Sequence, residues 1–248
     1  DAARHVAIHL GLPVAFFSLE MSQAEVGART AAAEAKIPLP NVQKGEMRPQ
    51  DWERWARKAG LVLDAPLLVD DFPRADPAYI RSACRRMVRD RGPLGLVVVD
   101  YLQLMEDSGA PASKSRQQTV SEFSRSLTIL AKELVTAPVL ALAQLNRGAE
   151  ARTDKKPQVA DLRESGGIEQ DAYQVILLHR EDAYEKESPR AGEADFIIGK
   201  NRGGPSGFAV TLAAQLHYSR FVPMAGDEEP AQVDRPVRSW SPTDVLAS

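Results

Sequence analysis

The order of apolar and polar positions divides this chain into short apolar runs, separated by longer stretches with helical spacing. The run Leu94–Asp100 is too short and too rich in β-branched residues for a long helix. It is typical of a parallel strand that is buried on both faces. Comparable runs predict six further strands, at Val14–Leu19, Pro66–Asp70, Val139–Ala143, Val175–Leu178, Ala194–Ile198 and Phe208–Leu212. Between the last two, Gly203-Gly204-Pro205 predicts a hairpin or tight turn.

Helical patterns fill most of the intervals between the strands. A helix that begins after Ser22 and ends near Lys36 carries Glu25 at the capping-box position. Other helices are predicted at Ala2–Leu10, 50–63, 77–89 and 119–134, and polar loops at Glu106–Gln118 and 146–166. Trp52 and Trp55, in the helix over 50–63, are expected to anchor the core. Strands that alternate with helices, followed by consecutive strands, indicate an α/β fold with a largely parallel central sheet and antiparallel strands at one edge.

Composition limits the class of protein but not its function. A chain of 248 residues, of which 44% are hydrophobic, is long enough to bury a sizeable core. The single cysteine, Cys84, excludes an internal disulfide framework, fits a reducing cytoplasm and is expected to be a buried structural thiol. No apolar run approaches the roughly 20 residues that a membrane span needs. From Gly226 onward the chain has little to bury, so residues 226–248 are expected to form a disordered tail.

Polar side chains follow three of the predicted strands. Glu20 ends the first, Asp100 ends the third, and Gln144 follows Val139–Ala143. The carboxyl ends of parallel strands meet at one edge of a sheet, which is where α/β proteins bind ligands. Phosphoryl transfer needs an anchor for Mg²⁺ and a group that orients the attacking water, and the two carboxylates could fill these roles. The alternative is that both are ordinary cap or loop carboxylates.

A basic segment follows Gln144. It contains Arg147, Arg152, Lys155, Lys156 and Arg163, and backbone amides near Gly166 and Gly167 add further donors. Such groups could contact a nucleic-acid backbone, but the segment has few aromatic residues, so base stacking is not implied. With a net charge of −3, the chain as a whole does not indicate a nucleic-acid binder, so such a surface would have to be local. A solvated loop is the alternative.

A second basic motif ends the strand predicted at Ala194–Ile198. Lys200 and Arg202 alternate outward there, and the glycines that follow allow a sharp turn. Exposed cations of this kind usually serve solubility. In an oligomer they could reach a neighbour's nucleotide as an arginine finger.

Together these segments resemble the motor domain of the DnaB-type hexameric replicative helicases. The matching stretches occur in the family's order and spacing over about residues 5–225, at Phe17–Met21, Val98–Leu104, Ala143–Arg147, Asp161–Asp171 and Ile198–Pro205. The resemblance implies a RecA-like P-loop NTPase fold for a motor domain over residues 1–225. It also implies ATP hydrolysis coupled to 5′-to-3′ translocation on single-stranded DNA, and a homohexamer in the cytoplasm at the replication fork. Primase and a helicase loader are its implied partners.

The resemblance also implies roles for the residues at the strand ends. Glu20 matches the catalytic glutamate, and Asp100 matches the Walker B aspartate that binds the Mg²⁺ of bound ATP. Gln144 matches the residue that links the γ-phosphate to the DNA-facing loops.

The two basic segments also match family motifs. Lys200 and Arg202 match the pair that reaches the adjacent subunit's ATP, with Arg202 as the finger. Arg163, Glu164 and Gly166 match the loop that holds the DNA backbone in the central channel.

The chain departs from the family in one respect, because no G-x-x-x-x-G-K-[ST] phosphate loop occurs in it. In the family this loop precedes the helix that is expected to end at Ala2–Leu10. We therefore expect a fragment that begins just after the loop and also lacks the primase-binding domain and the linker helix. Without the loop's lysine and amides most of the phosphate charge goes unpaired, so this chain alone is expected to bind ATP poorly and hydrolyse it negligibly.

Two alternatives remain open at this point. One is another RecA-like ATPase, such as a recombination protein, against which the run Asp161–Asp171 argues. The other is a non-catalytic DNA-binding or ring-forming module that has lost its phosphate loop.

Overall fold

The structure, a computed structural model, describes residues 1–106, 114–134, 137–165 and 167–224, but not the side chains of Arg147 and of residues 163–165. The tail expected at residues 226–248 lies outside the described residues. The described strands are β1 Val14–Ser18, β2 Leu67–Asp70, β3 Leu96–Asp100, β4 Val139–Ala141, β5 Gln174–His179, β6 Glu193–Asn201, β7 Phe208–Gln215 and β8 Arg220–Pro223. The described α-helices are α1 Ala2–Arg4, α2 Gln23–Ala35, α3 Leu39–Lys44, α4 Pro49–Leu63, α5 Pro77–Arg91, α6 Arg116–Leu134 and α7 Ile168–Asp171.

Strands β2, β1, β3 and β4 form a parallel sheet in that spatial order. The register pairs Ser18, the last residue of β1, with Asp100, the last residue of β3. Val97 and Val99 of β3 are fully buried, as expected for a strand covered on both faces. The sheet therefore presents the ends of β1 and β3 side by side at its carboxyl edge.

Strands β5 to β8 form an antiparallel sheet in chain order. As predicted, β6 and β7 pair as a hairpin on either side of Gly203-Gly204-Pro205. The two sheets share one hydrophobic core, since Val175 and Leu177 of β5 belong to the same buried cluster as Val97 and Val99. The α/β fold class is confirmed, and in the described part of the chain the antiparallel strands pair with one another rather than with β4.

Helices α5 and α6 cover the parallel sheet with apolar side chains that include Cys84 and Phe123. Burial raises the pKa of the Cys84 thiol to about 12, so its prediction as a buried structural thiol is confirmed. The capping box predicted for α2 is also confirmed. The Ser22 hydroxyl accepts the Glu25 N–H at 3.3 Å, and the Glu25 carboxylate accepts the Ser22 N–H at 2.9 Å. None of the described helices is both long and apolar enough to cross a membrane.

Four local features differ from the expectation. Helix α3 and strand β8 were not predicted, and the segment 146–166, expected to be a loop, contains 3₁₀ helices at Arg147–Ala151 and Val159–Ser165. Helix α6 begins at Arg116, inside a segment also expected to be a loop. It begins there because Ser115 and Gln118 bond reciprocally, each side chain accepting the other's backbone N–H, at 3.2 and 3.1 Å.

The expectation that Trp52 anchors the core is wrong, because its side chain is 56% exposed. Asp51 is the buried residue of α4. Its carboxylate accepts the Arg48 N–H and the Asn41 side-chain amide, both at 3.1 Å. Hydrogen bonding of a polar side chain therefore fixes this end of the helix, and the neighbouring Trp52 faces solvent.

The antiparallel sheet is stabilised by a carboxylate that lies inside it. Asp195 of β6 is 7% exposed and receives two bonds from the Arg190 guanidinium, at 2.7 and 2.8 Å. The Thr211 hydroxyl of β7 donates a third bond at 2.7 Å. The Arg190 guanidinium, more than any other group, holds the pKa of Asp195 down at about 2.

Asp195→Asn is expected to lower the free energy of unfolding by about 2 kcal/mol at pH 7, because Arg190 loses the carboxylate that accepts two of its hydrogen bonds. Among the described residues, Arg190 then keeps only Glu193 as a close ion-pair partner. The ordinary pKa of an aspartate is 3.8 and that of folded Asp195 is about 2, so this stabilisation is present above about pH 4 and is lost as the pH falls through about 2. Urea denaturation of both proteins across this pH range measures the difference.

The matched control is Asp64→Asn, at an exposed aspartate that follows α4. It should change stability by less than about 0.5 kcal/mol. A loss for Asp195→Asn that stays equally large at the lowest pH would contradict the account of Asp195.

Candidate active site

The carboxyl edge of the parallel sheet brings together Glu20, Asp100 and Gln144. The Leu19 N–H donates to the Asp100 carbonyl oxygen at 2.7 Å, so the chain holding Glu20 leaves β1 directly beside the end of β3. β4 pairs with β3 on its other side, and Gln144 follows β4 by three residues. The sequence predicted that these residues lie at one edge of the sheet, because each follows or ends a strand. The parallel register of β1, β3 and β4 places them at that edge.

Asp100 is the half-buried member of this group. Its pKa is raised, first because burial disfavours the charged carboxylate and then because the Glu20 carboxylate is close, while Arg29 opposes the shift weakly. Among the described residues, no group donates a hydrogen bond to the Asp100 side chain. Two neighbouring carboxylates without a matching cation are an environment that a divalent metal ion would stabilise.

The residues present fit Mg²⁺ only as a partial shell. In the described part of the chain, no group of three or more His, Cys, Asp or Glu side chains is arranged to hold a metal ion. Mg²⁺ prefers six oxygen ligands and commonly binds one or two carboxylates, with phosphate oxygens and water completing the shell. Asp100 is therefore suited to bind Mg²⁺ that arrives with a phosphorylated ligand.

The side chain of Ser18 stabilises the turn that carries Glu20. The Ser18 side chain is buried, donates to the Met21 carbonyl oxygen at 2.6 Å and accepts the Met21 N–H at 3.3 Å. This pair of bonds spans Glu20 and fixes the backbone on both sides of it, while Glu20 itself is exposed. The interpretation of the sequence gave no role to Ser18, since a serine within an apolar run carries no distinct signal.

Gln144 is exposed, and its backbone is bonded by the side chain of Gln103. Gln103 was also missed by the interpretation of the sequence, although it is the polar residue that interrupts the apolar run after β3.

Lys200 and Arg202 lie at and just beyond the end of β6, in the antiparallel sheet. The Lys200 ammonium donates to the Glu169 carbonyl oxygen and, at 3.3 Å, to that of Gln170 at the end of α7. The Arg202 guanidinium donates to the Gln170 carbonyl oxygen as well. Among the described residues, neither cation forms an ion pair or hydrogen bond with Glu20 or Asp100.

Arg202 faces an open cleft on the surface. Its guanidinium lies over the Tyr173 ring, 5.2 Å from the centroid, and lines a cleft of about 300 Å³. Helix α6 contributes two more cations to the same cleft, Arg125 and Lys132. The three cationic side chains of the cleft therefore face outward, toward any molecule that lies next to this surface.

The predicted DNA-contacting residues are described only in part. The backbone of Arg163 and Glu164 lies in the 3₁₀ helix Val159–Ser165, whereas their side chains and Gly166 lie outside the described residues.

The basic segment before that helix is folded around an ion pair. Arg152 donates to both carboxylate oxygens of Asp161, at 2.9 and 2.6 Å, and thereby lowers the pKa of Asp161. The Asn146 N–H donates to the Asp161 carbonyl oxygen at 3.1 Å. Arg152 is thus neutralised within the chain, and the backbone two residues after Gln144 is tied to the 3₁₀ helix that contains Arg163.

Comparisons of the sequence and of the structure with known proteins point to the same family. The family model described as "DnaB-like helicase C terminal domain" matches residues 1–223. A relative from Leifsonia xyli subsp. xyli (strain CTCB07), "Replicative DNA helicase DnaB", is 53% identical over 225 residues, which are 91% of this chain and 48% of that protein. The chain spans about half the length, or less, of the curated relatives it matches.

Two solved structures have the same architecture. One is described as "ATPase Domain of G40P" and the other as "The Structure Of A DnaB-Like Replicative Helicase And Its Interactions With Primase". Each has a TM-score of 0.83 and 33% identity over 90% of this chain, which covers 78% of the first chain and 54% of the second. The RecA-like fold is therefore confirmed, and the chain belongs to the DnaB-like helicase C-terminal domain family.

Proposed function

We propose that this chain is the ATPase motor of a replicative DNA helicase, which hydrolyses ATP to translocate 5′ to 3′ along single-stranded DNA and unwind the duplex. The observation that carries this proposal is the meeting of Glu20, Asp100 and Gln144 at one sheet edge, with Asp100 half-buried and uncompensated. Family membership supports the same activity for the parent protein.

Each of the three residues has a distinct part in the hydrolysis that we propose. Asp100 would bind Mg²⁺, and bound Mg²⁺ would neutralise charge on the phosphates of ATP. Glu20, exposed and next to Asp100, would accept a hydrogen bond from the attacking water and orient it toward the γ-phosphate. Gln144 would donate a hydrogen bond to the γ-phosphate and lose that bond when the phosphate leaves.

Lys200 and Arg202 would act on the ATP of the adjacent subunit in a homohexamer. Their position supports this, because Arg202 lines an outward-facing cleft with Arg125 and Lys132. Lys200 donates to the Gln170 carbonyl oxygen, as Arg202 does, and among the described residues neither cation bonds to Glu20 or Asp100. The carbonyl oxygens of Glu169 and Gln170 would hold the two cations until a phosphate replaces them as a partner.

DNA would be held by Arg163, Glu164 and the backbone at Gly166. The bond from Asn146 to Asp161 supports coupling, since it joins the segment after Gln144 to the helix that carries these residues. Primase and a helicase loader would be further partners of the parent protein in the cytoplasm, and one related structure is described with its interactions with primase.

A protein that consists of residues 1–248 alone is expected to hydrolyse ATP at a negligible rate, because it contains no G-x-x-x-x-G-K-[ST] motif to pair the phosphate charge. The full-length protein should hydrolyse ATP with stimulation by single-stranded DNA. Substituting Asp100→Asn in the full-length protein should lower that rate at least about a hundredfold.

Steady-state ATPase assays with and without single-stranded DNA measure both quantities. ATP turnover by residues 1–248 alone at the rate of the full-length protein would contradict the predicted deficiency. Inactivity of the full-length protein, together with retained DNA binding, would favour the non-catalytic module.

If Arg202 acts on the ATP of a neighbouring subunit, rings that contain two different inactive variants should recover part of the ATPase activity. Full-length Arg202→Ala and Asp100→Asn proteins should each be inactive alone, since each lacks one half of every site. When subunits are mixed in equal amounts, about one quarter of the interfaces combine an intact Asp100 with an intact Arg202 from the neighbour. ATPase activity should therefore return in part.

The control mixture combines Asp100→Asn with Glu20→Gln subunits, whose lesions lie on the same side of each interface. It should recover no activity. If rings form from Arg202→Ala and Asp100→Asn subunits but stay as inactive as this control, Arg202 does not act across the interface.

A further inference from the structure

The pairing of β3 with β4 continues beyond the last residue of each strand. The Leu142 N–H donates to the Val99 carbonyl oxygen at 2.9 Å, and the Leu102 N–H donates to the Leu142 carbonyl oxygen at 3.0 Å. After this point the backbone following β3 turns into the short 3₁₀ helix Leu102–Leu104. That backbone therefore ceases to follow β4 before Gln144 is reached.

The side chain of Gln103 takes over as the partner of Gln144. Its Nε2 donates to the Gln144 carbonyl oxygen at 3.0 Å, and its Oε1 accepts the Gln144 N–H at 3.2 Å. A primary amide offers the same donor and acceptor as a peptide group, so it can satisfy both backbone groups of one residue as a neighbouring strand would. The two bonds restrict the backbone of Gln144 and so the direction in which its exposed side chain leaves the chain.

Gln103 is itself fixed to the start of α6. The Arg116 guanidinium donates to the carbonyl oxygens of Gln103 and, at 3.2 Å, of Met105. Arg116 is the first residue of α6, and α6 packs its apolar face on the shared core. The backbone of Gln103 is thus fixed to α6, and through α6 to the hydrophobic core, while its side chain contacts Gln144.

We propose that Gln103 is a positioning residue, which holds the backbone of Gln144 so that the Gln144 side chain meets the γ-phosphate. This rests on the proposed function, in which Gln144 touches that phosphate and Gln103 does not. Transition-state contacts lose effect when a group is displaced by as little as 1 Å, so a mobile Gln144 would lower the rate of hydrolysis. Binding of ATP, which depends on the remaining contacts, would change little.

The test uses the full-length protein with Gln103→Met, which keeps the size of the side chain and removes both hydrogen bonds. We expect kcat for DNA-stimulated ATP hydrolysis to fall about tenfold, with KM for ATP within about twofold of wild type. Gln103→Glu keeps an acceptor for the Gln144 N–H but places a charged oxygen against the Gln144 carbonyl, and it should lose at least as much. The control is Gln50→Met, at an exposed glutamine in the first turn of α4, which should leave kcat unchanged.

A double-mutant cycle separates positioning from a general structural effect. If Gln103 acts through Gln144, Gln103→Met should have no further effect on kcat in a Gln144→Ala background. The inference would be overturned if the double variant lost kcat by the product of the two single losses, or if kcat of Gln103→Met stayed within twofold of wild type. Either outcome would leave the proposed function intact. A wild-type kcat for Gln144→Ala would instead refute the phosphate contact of Gln144, and the inference with it.

Hydrogen exchange in the wild-type protein tests the contact without any variant. The backbone N–H of Gln144 should exchange more slowly than expected for an exposed residue, because Gln103 accepts its hydrogen bond. Exchange at the rate of an unstructured peptide would overturn the inference even if the variants of Gln103 failed to fold.

Discussion

The parallel register of β1, β3 and β4 is the constraint on which the arrangement of the site depends. Because Ser18 is paired with Asp100, β1 and β3 end at the same level of the sheet. Glu20, which follows β1, therefore lies close to Asp100. Burial of Leu96–Val99 on both faces favours that register, since a shift of β3 by one residue would carry Asp100 or Gly95 into a buried position. The relative positions of the site residues are therefore set by the packing of the hydrophobic core.

Charge is distributed unevenly between the two sheets, and this distribution has a functional consequence. The parallel sheet ends in carboxylates that lack a compensating cation, whereas Lys200 and Arg202 extend from the antiparallel sheet and rest on backbone carbonyl oxygens. Asp195 of β6 and Arg190, in the turn before β6, form an ion pair that stabilises the antiparallel sheet. Glu20 and Arg202 are exposed and Asp100 is half-buried, so a bound ligand or a second molecule could supply the opposite charges.

The sequence was sufficient to predict the parts that local patterns determine. β-branched runs located β1 to β7, the S-x-x-E pattern located the start of α2, and polar residues after strands located Glu20, Asp100 and Gln144. The parts that were missed depend on contacts between distant segments or on polar burial. Trp52 is exposed because Asp51 forms the hydrogen bonds at that end of α4, and Gln103 meets Gln144 across 41 positions of sequence. A pattern of hydrophobicity contains no signal for either arrangement.

The environment of Cys84 makes the chain convenient for site-specific labelling. Cys84 is the only cysteine in the sequence, and its thiol is fully buried with a pKa of about 12. At pH 8 such a thiol is ionised in roughly one molecule in ten thousand, so maleimide reagents would react far faster with a cysteine introduced at the surface. Within residues 1–248, a pair of fluorophores on introduced cysteines could then report distances between the two sheets without first replacing Cys84.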